Sequence, residues 1–138
     1  MPDNPTFESE VRIPSDTALG LRVQEQIIEV LRSCQFSDKT IFGIRLAMEE
    51  AIINAIKHGN KQDLEKFVQV RYTINEEHFL IEIEDEGPGF DPDDVPDPTA
   101  PENLERPSGR GLLLMRAYMT ECDFLRGGSI CRMRRIRE

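Results

Sequence analysis

Every second residue from Val68 to Ile74 is apolar (Val68, Val70, Tyr72, Ile74), and the alternation returns at Phe79, Ile81 and Ile83. Between the two runs lies the polar turn Asn75-Glu76-Glu77-His78. Successive side chains of a strand point to opposite faces, so this pattern dictates a hairpin with one apolar face and one wet face. A one-sided sheet needs a cover, and the flanking sequence supplies it. Leu19, Val23, Ile27 and Val30/Leu31 recur at helical spacing, which predicts a first helix from Thr17 to about Ser33, capped by Ser15 or Asp16. Ser37 can cap a second helix, from about Asp38 to His58, with Gly59-Asn60 as a left-handed stop. A third opens at Ser108-Gly109-Arg110-Gly111 and ends near Thr120, with Leu112, Met115 and Met119 or Ala117 as its apolar stripe. Phe7, Ser9, Val11 and Ile13 make one face of a first strand, which Pro14 ends. Asp123 to Arg126 and Ser129 to Ile136 read as two last strands joined through the two-residue turn Gly127-Gly128. The order β-α-α-ββ-loop-α-ββ predicts an α+β fold: a two-layer sandwich with a mixed, mostly antiparallel sheet and helices on one face.

With 138 residues the chain makes one domain, residues 1–138. No apolar run approaches the length of a membrane span, and the N-terminus lacks the basic and apolar regions of a secretory signal. Cys34, Cys122 and Cys131 are an odd count without CxxC spacing. They read as reduced thiols of a cytoplasmic protein rather than a disulfide framework or a zinc site. A net charge of -9 argues against direct nucleic-acid binding, which needs basic surface. The charge is uneven: ten acids and no Lys or Arg lie between Glu82 and Glu105, and five arginines and no acid between Arg126 and Arg137. Two solvated regions are the plainer reading; the sharper one is a basic end that docks an acidic protein. Residues 91–107 are rich in proline and lack periodicity, which marks a functional loop.

Three segments carry chemistry. In Glu50-x-x-x-Asn54-x-x-Lys57-His58-Gly59, Glu50, Asn54, Lys57 and His58 share one face of an otherwise apolar helix. An amide among Ile and Ala residues is costly unless satisfied. Its oxygen suits Mg²⁺, and a carboxylate one turn away can accept a proton from a nucleophile. Alone, the row is better explained by solvated Glu49 and Glu50 and an Asn54 bonded to the neighbouring backbone. Asp85-x-Gly87-x-Gly89-Phe90 ends a strand with glycines that admit close backbone approach, beside an Asp that can accept from an exocyclic amine. Gly109-Arg110-Gly111 starts a helix, where free amides and an arginine attract phosphate, though it also reads as a plain loop-to-helix junction. There is no Walker A segment, kinase-type glycine loop, histidine metal pattern or nucleophile elbow.

In this order, EEAIINAIKHGN, EDEGPGF and SGRGLLLMRAYMTE resemble the N, G1 and G2 boxes of the GHKL ATPase superfamily, whose members share the Bergerat ATP-binding fold. The closest resemblance is to the bacterial anti-sigma factor serine/threonine kinases, and it covers essentially the whole chain. The resemblance implies ATP and Mg²⁺ as cofactors. It makes Asn54 the Mg²⁺ ligand, Glu50 the catalytic base, and Asp85 the acceptor of the adenine amine. Gly87 and Gly89 give room beside the base, and residues 91–107 form an ATP lid. Gly109, Arg110 and Gly111 wrap the triphosphate, with Lys57 reaching a phosphate and Ser129 lying near the adenine. It further implies an anti-anti-sigma (STAS-type) protein as substrate, a sigma factor among the partners, and a homodimer. An ATP-binding regulator that sequesters a partner with little kinase activity is the main rival. A histidine-kinase-like module ranks below it, since no attached helix pair carries a phospho-accepting histidine.

Overall fold

The computed structural model describes residues 6–88 and 109–137. Gly89, Ser108 and the predicted lid, residues 91–107, lie outside them. Strands β1 (Phe7–Pro14), β2 (Phe67–Ile74), β3 (His78–Glu84), β4 (Glu121–Leu125) and β5 (Ile130–Ile136) form one sheet in the order β1-β2-β3-β5-β4. All four pairings are antiparallel, where the sequence left room for a mixed sheet. Helices α1 (Thr17–Ser33), α2 (Asp38–Ile53) and α3 (Gly109–Tyr118) supply the second layer.

The alternation sets the register. Val70 faces Ile83, Tyr72 faces Ile81 and Ile74 faces Phe79, and these six side chains are buried. On the same side, Ile81 faces Met133 and Ile83 faces Cys131. Against that face pack Ile27, Ile28 and Leu31 of α1, Ile44, Met48 and Ile52 of α2, and Leu112, Met115 and Met119 of α3. Ala117 is exposed, so the α3 stripe closes on Met119.

Caps fall where short polar side chains allow. Asp16 accepts from the Ala18 amide and Ser37 from the Thr40 amide. Ser15 instead donates to the Lys66 carbonyl. The end of α2 departs from expectation. From Asn54 to Gly59 the chain winds as a π-helical turn, closed by the Asn60 amide on the Ala55 carbonyl (2.9 Å). Asn60 is right-handed (φ -90°), and the left-handed residues are Lys61 and Gln62. Gly59-Asn60 is therefore not a left-handed stop. The last hairpin also differs: Leu125 pairs with Ile130, so four residues join β4 to β5 rather than two. The Arg126–Gly128 turn carries positive φ at all three positions.

The three cysteines are free thiols. No described helix is long and apolar enough to cross a membrane. The arginines of the C-terminal stretch are engaged internally. Arg126 pairs with Glu84, Arg132 with Glu82 and Arg134 with Glu121, while Arg135 donates to the Tyr118 carbonyl and Arg137 to the Cys34 carbonyl. The ion pairs lie at the surface, with Arg126 and Arg132 well exposed, in keeping with the plainer reading of a solvated region.

Candidate functional site

A cleft opens between the C-terminal half of α2 with its π-helical turn, the middle of α3, and the ends of β3, β4 and β5. Its walls are Ala51, Ala55, Ile83, Met115, Phe124 and Cys131, with Gly59 and Gly128 at the backbone approaches and Asn54, His58 and Asp85 as polar groups. A largely apolar slot with few polar groups is the usual form of a small-molecule site.

At one end, α2 meets α3. A methyl on Gly111 would stand 2.7 Å from Glu50 Oε2 and 3.7 Å from Asn54 Nδ2. Glu50, Asn54 and Gly111, taken from two separate motifs, therefore converge at one point. A side chain at position 111 would push the carboxylate away. Asn54 Nδ2 is buried and has no hydrogen-bond partner among the described residues. An unpaired buried amide is costly, which marks Nδ2 as a group shaped to donate to a ligand. No group of three metal-ligating acids, histidines or cysteines exists among the described residues. The Nδ2 group donates, so it suits a phosphate oxygen, while Oδ1 of the same amide is one hard oxygen that a cation completing its shell with phosphate oxygens and waters, such as Mg²⁺, could take. Gly109 and Arg110 form the first turn of α3, ahead of Gly111.

At the other end, Asp85 follows β3. Its amide donates to the Ser129 carbonyl (3.0 Å), and its Oδ1 accepts from the Gly87 amide (2.8 Å). Burial pushes the Asp85 carboxyl up to about 6; the Gly87 bond and Lys66 pull it down, and Glu84 adds to the rise. A carboxyl raised by desolvation inside a cleft is a mark of a functional group. Two glycines make this geometry possible. A methyl on Gly59 would overlap the Asp85 carboxylate, and one on Gly87 would overlap the Gly59 carbonyl. The π-helical turn and the turn after β3 thus meet backbone to backbone.

The remaining predicted residues are placed less centrally. Lys57 is exposed and does not line the cleft. The wider π turn carries it round the helix, while His58 stays beneath Asn54. Ser129 contributes its carbonyl to Asp85, and its hydroxyl donates back to the Arg126 carbonyl (3.2 Å). Gly89 lies outside the described residues. Sequence reasoning missed the contributions of Gly59, Gly128, Met115, Phe124 and Cys131. The first two were legible only as a helix stop and a hairpin turn, Met115 as part of a helical stripe, Cys131 as a reduced thiol, and Phe124 as one residue of a short strand.

The chain is similar to known proteins in family and in fold. The family model described as "Histidine kinase-like ATPase domain" matches residues 13–135. The "Serine-protein kinase RsbW" of Oceanobacillus iheyensis is 32% identical over 92 residues, 62% of this chain and 58% of that protein. The "Anti-sigma F factor" of Clostridium perfringens strain SM101 is 37% identical over 83 residues, 58% of this chain and 59% of that protein. The matches thus span under two thirds of these two relatives. The Bacillus subtilis "Serine-protein kinase RsbW" is 26% identical over 118 residues, covering 81% of this chain and 74% of that protein. In three dimensions, the crystal structure of the RsbU and RsbW domains of a Mycobacterium tuberculosis protein matches with a TM-score of 0.67. At 17% identity, over 97% of this chain and 34% of that one, it bears on the fold alone.

Proposed function

The chain belongs to the histidine kinase-like ATPase domain family, and from that premise we propose that it binds Mg-ATP in this cleft and transfers the γ-phosphoryl group to a serine or threonine of a protein partner. The observation that carries the reading is the convergence of Glu50 and Asn54 on Gly111 at the start of α3, with Asp85 at the far end of the same cleft. A nucleotide lying between these ends meets a carboxylate suited to its base and a helix start suited to its phosphates.

Phosphoryl transfer depends mainly on in-line positioning and on neutralising phosphate charge. Asp85 would accept from the adenine amine while Ile83, Met115 and Phe124 wall the ring. The amides that open α3, with Gly109, Arg110 and Gly111, would bind phosphate oxygens. Asn54 would hold the Mg²⁺, which when bound supplies further charge neutralisation. Glu50 would take the proton of the attacking hydroxyl as its oxygen bonds to phosphorus, with ADP leaving. In this reading of a single domain, Ser129 supports the Asp85 turn through its carbonyl. Gly89 and the lid, residues 91–107, keep the roles the resemblance implies. Lys57 stands outside the cleft and would reach a phosphate only by extending its side chain.

The names of the relatives support a partner-switching role. The substrate is then a STAS-type anti-anti-sigma protein, and its phosphorylation state decides whether a homodimer of this chain holds a sigma factor in the cytoplasm. The test is to incubate the protein with Mg-ATP and candidate STAS proteins and look for phosphoserine or phosphothreonine by mass spectrometry. Glu50→Ala should retain ATP binding and lose transfer by about a hundredfold or more, whereas Asn54→Ala should lose Mg-dependent binding itself. Transfer unchanged in both variants would sink the site assignment. Tight ATP binding with no transfer to any partner favours the second reading, a nucleotide-gated sequestering protein.

A further inference from the structure

Asn60 closes the EEAIINAIKHGN segment without a role in the chemistry assigned to it, yet it is completely buried. Its Nδ2 donates to Ser15 Oγ (3.0 Å) and to the Phe67 carbonyl (3.0 Å), and its Oδ1 accepts from the Glu86 amide (2.7 Å). Both side-chain donors and the acceptor are therefore in use. The three bonds tie together the entry to α1, the start of β2 and the turn after β3. A simple helix end needs none of them, because the Asn60 amide already closes the π-helical turn on the Ala55 carbonyl.

The bond to Glu86 matters most. Glu86 is the residue next to Asp85. The Asp85 amide is fixed on the Ser129 carbonyl, and the Glu86 amide is fixed on Asn60. The Glu86 carboxylate accepts in turn from the Phe67 amide (2.5 Å), so the turn is held from two sides of Asn60. Two successive amides with fixed partners leave the carboxylate between them little freedom to re-aim. Its approach to the helix is set by Gly59, whose methyl-free surface it touches.

We propose that Asn60 is a positioning residue for base recognition: by anchoring the Glu86 amide it holds the Asp85 carboxylate where an adenine amine fits and a hypoxanthine oxygen does not. This rests on the reading of Asp85 as the base acceptor. A fixed acceptor discriminates because a keto oxygen facing it leaves both groups unpaired. A loosened turn lets the carboxylate swing away or a water intervene, so the two bases become equivalent. The proposal therefore concerns the ratio of affinities rather than affinity alone.

The experiment is calorimetric titration of the full chain with ATP and with inosine triphosphate, each with Mg²⁺. The wild type should prefer ATP by about tenfold or more. Asn60→Ala should lose most of that preference, chiefly through weaker ATP binding. Asn60→Asp keeps an acceptor for the Glu86 amide but sets an oxygen against the Phe67 carbonyl, so it should melt below the wild type while holding the preference to within a few-fold. Ser15→Ala removes the bond from Asn60 Nδ2 and the Ser15 bond to the Lys66 carbonyl but spares the Glu86 amide bond; it should lower the melting temperature and leave the preference intact. A folded Asn60→Ala that weakens both nucleotides equally, or keeps the wild-type ratio, overturns the proposal. Should that variant not fold, hydrogen exchange on the wild type decides. The Glu86 amide should be protected like the amides of β3, and exchange at the rate of an open turn overturns the proposal. A wild type that binds neither nucleotide is a different outcome, and it overturns the nucleotide reading of the cleft itself.

Discussion

At the scale of single residues, the cleft combines groups that cost stability with glycines that make room for them. Asp85 is the clearest case. Its carboxyl lies at about 6 because burial disfavours the charge, against an ordinary value of ~3.9. The folded chain therefore holds a proton that the unfolded chain has already released. The stability this proton contributes is fully present below about pH 4 and is lost as pH rises through about 6. Asp85→Asn should thus raise the melting temperature of the nucleotide-free protein at pH 7.5, with the gain vanishing near pH 4. The same change should weaken ATP binding, and wild-type binding should itself fall below pH 6. Melting curves and titrations across pH check all three. The glycines separate in a second test. A methyl on Gly87 meets the Gly59 carbonyl, which is backbone and cannot yield, whereas one on Gly111 meets the flexible end of Glu50. Gly87→Ala should destabilise the fold by about 1–3 kcal/mol and abolish nucleotide binding. Gly111→Ala should melt near the wild type yet lose transfer, because Glu50 is displaced.

At the scale of elements, the two faces of the sheet are held by interactions of different strength. Ile81 is fully buried between Tyr72 and Met133. Ile81→Ala should cost about 2–5 kcal/mol by urea denaturation, through lost transfer energy and the cavity left behind. On the opposite face the register aligns Glu10, Arg71, Glu82, Arg132 and Asp123 in one row of alternating charge across all five strands. Arg71 bonds Glu82 and Glu84, each at 3.2 Å. These pairs are partly exposed, so Arg71→Ala should cost only about 1 kcal/mol, and less at high salt. The row opposes charges correctly across the strands and so helps fix register more than it adds stability. Within α2, the change from α- to π-helical winding at Asn54 turns a nearly straight polar row into a working face. Asn54 and His58 line the cleft, and Lys57 leaves it.

At the scale of the whole molecule, the C-terminal strand is locked to the first helical corner. Arg137 donates to the carbonyls of Cys34 (2.5 Å) and Gln35 (3.3 Å), and its guanidinium lies 4.1 Å from the centre of the Phe36 ring. Arg137→Ala should lower the melting temperature by several degrees, equivalent to about 1–3 kcal/mol. Arg137→Lys should not restore it, because an ammonium cannot reproduce the planar fork and the stacking. Failure of that contrast in thermal melts would mean the strand end is held by packing alone. Much of this architecture was legible in the sequence: the alternation in β2 and β3, the caps at Asp16 and Ser37, and the glycine-bearing segments in their order. These depend on neighbours within one strand, one turn or one helix, whose geometry is set by local sterics and hydrogen bonding. The tertiary structure alone decided that Glu50 and Asn54 would meet Gly111, that Gly59 serves Asp85 rather than a helix stop, and that the arginines of the last strand find partners on neighbouring elements. It alone made Asn60 the link between β2 and the Asp85 turn. Each of those outcomes rests on contacts between residues far apart in the chain, made by groups whose local sequence offers several partners equally well, and only the packed fold selects one.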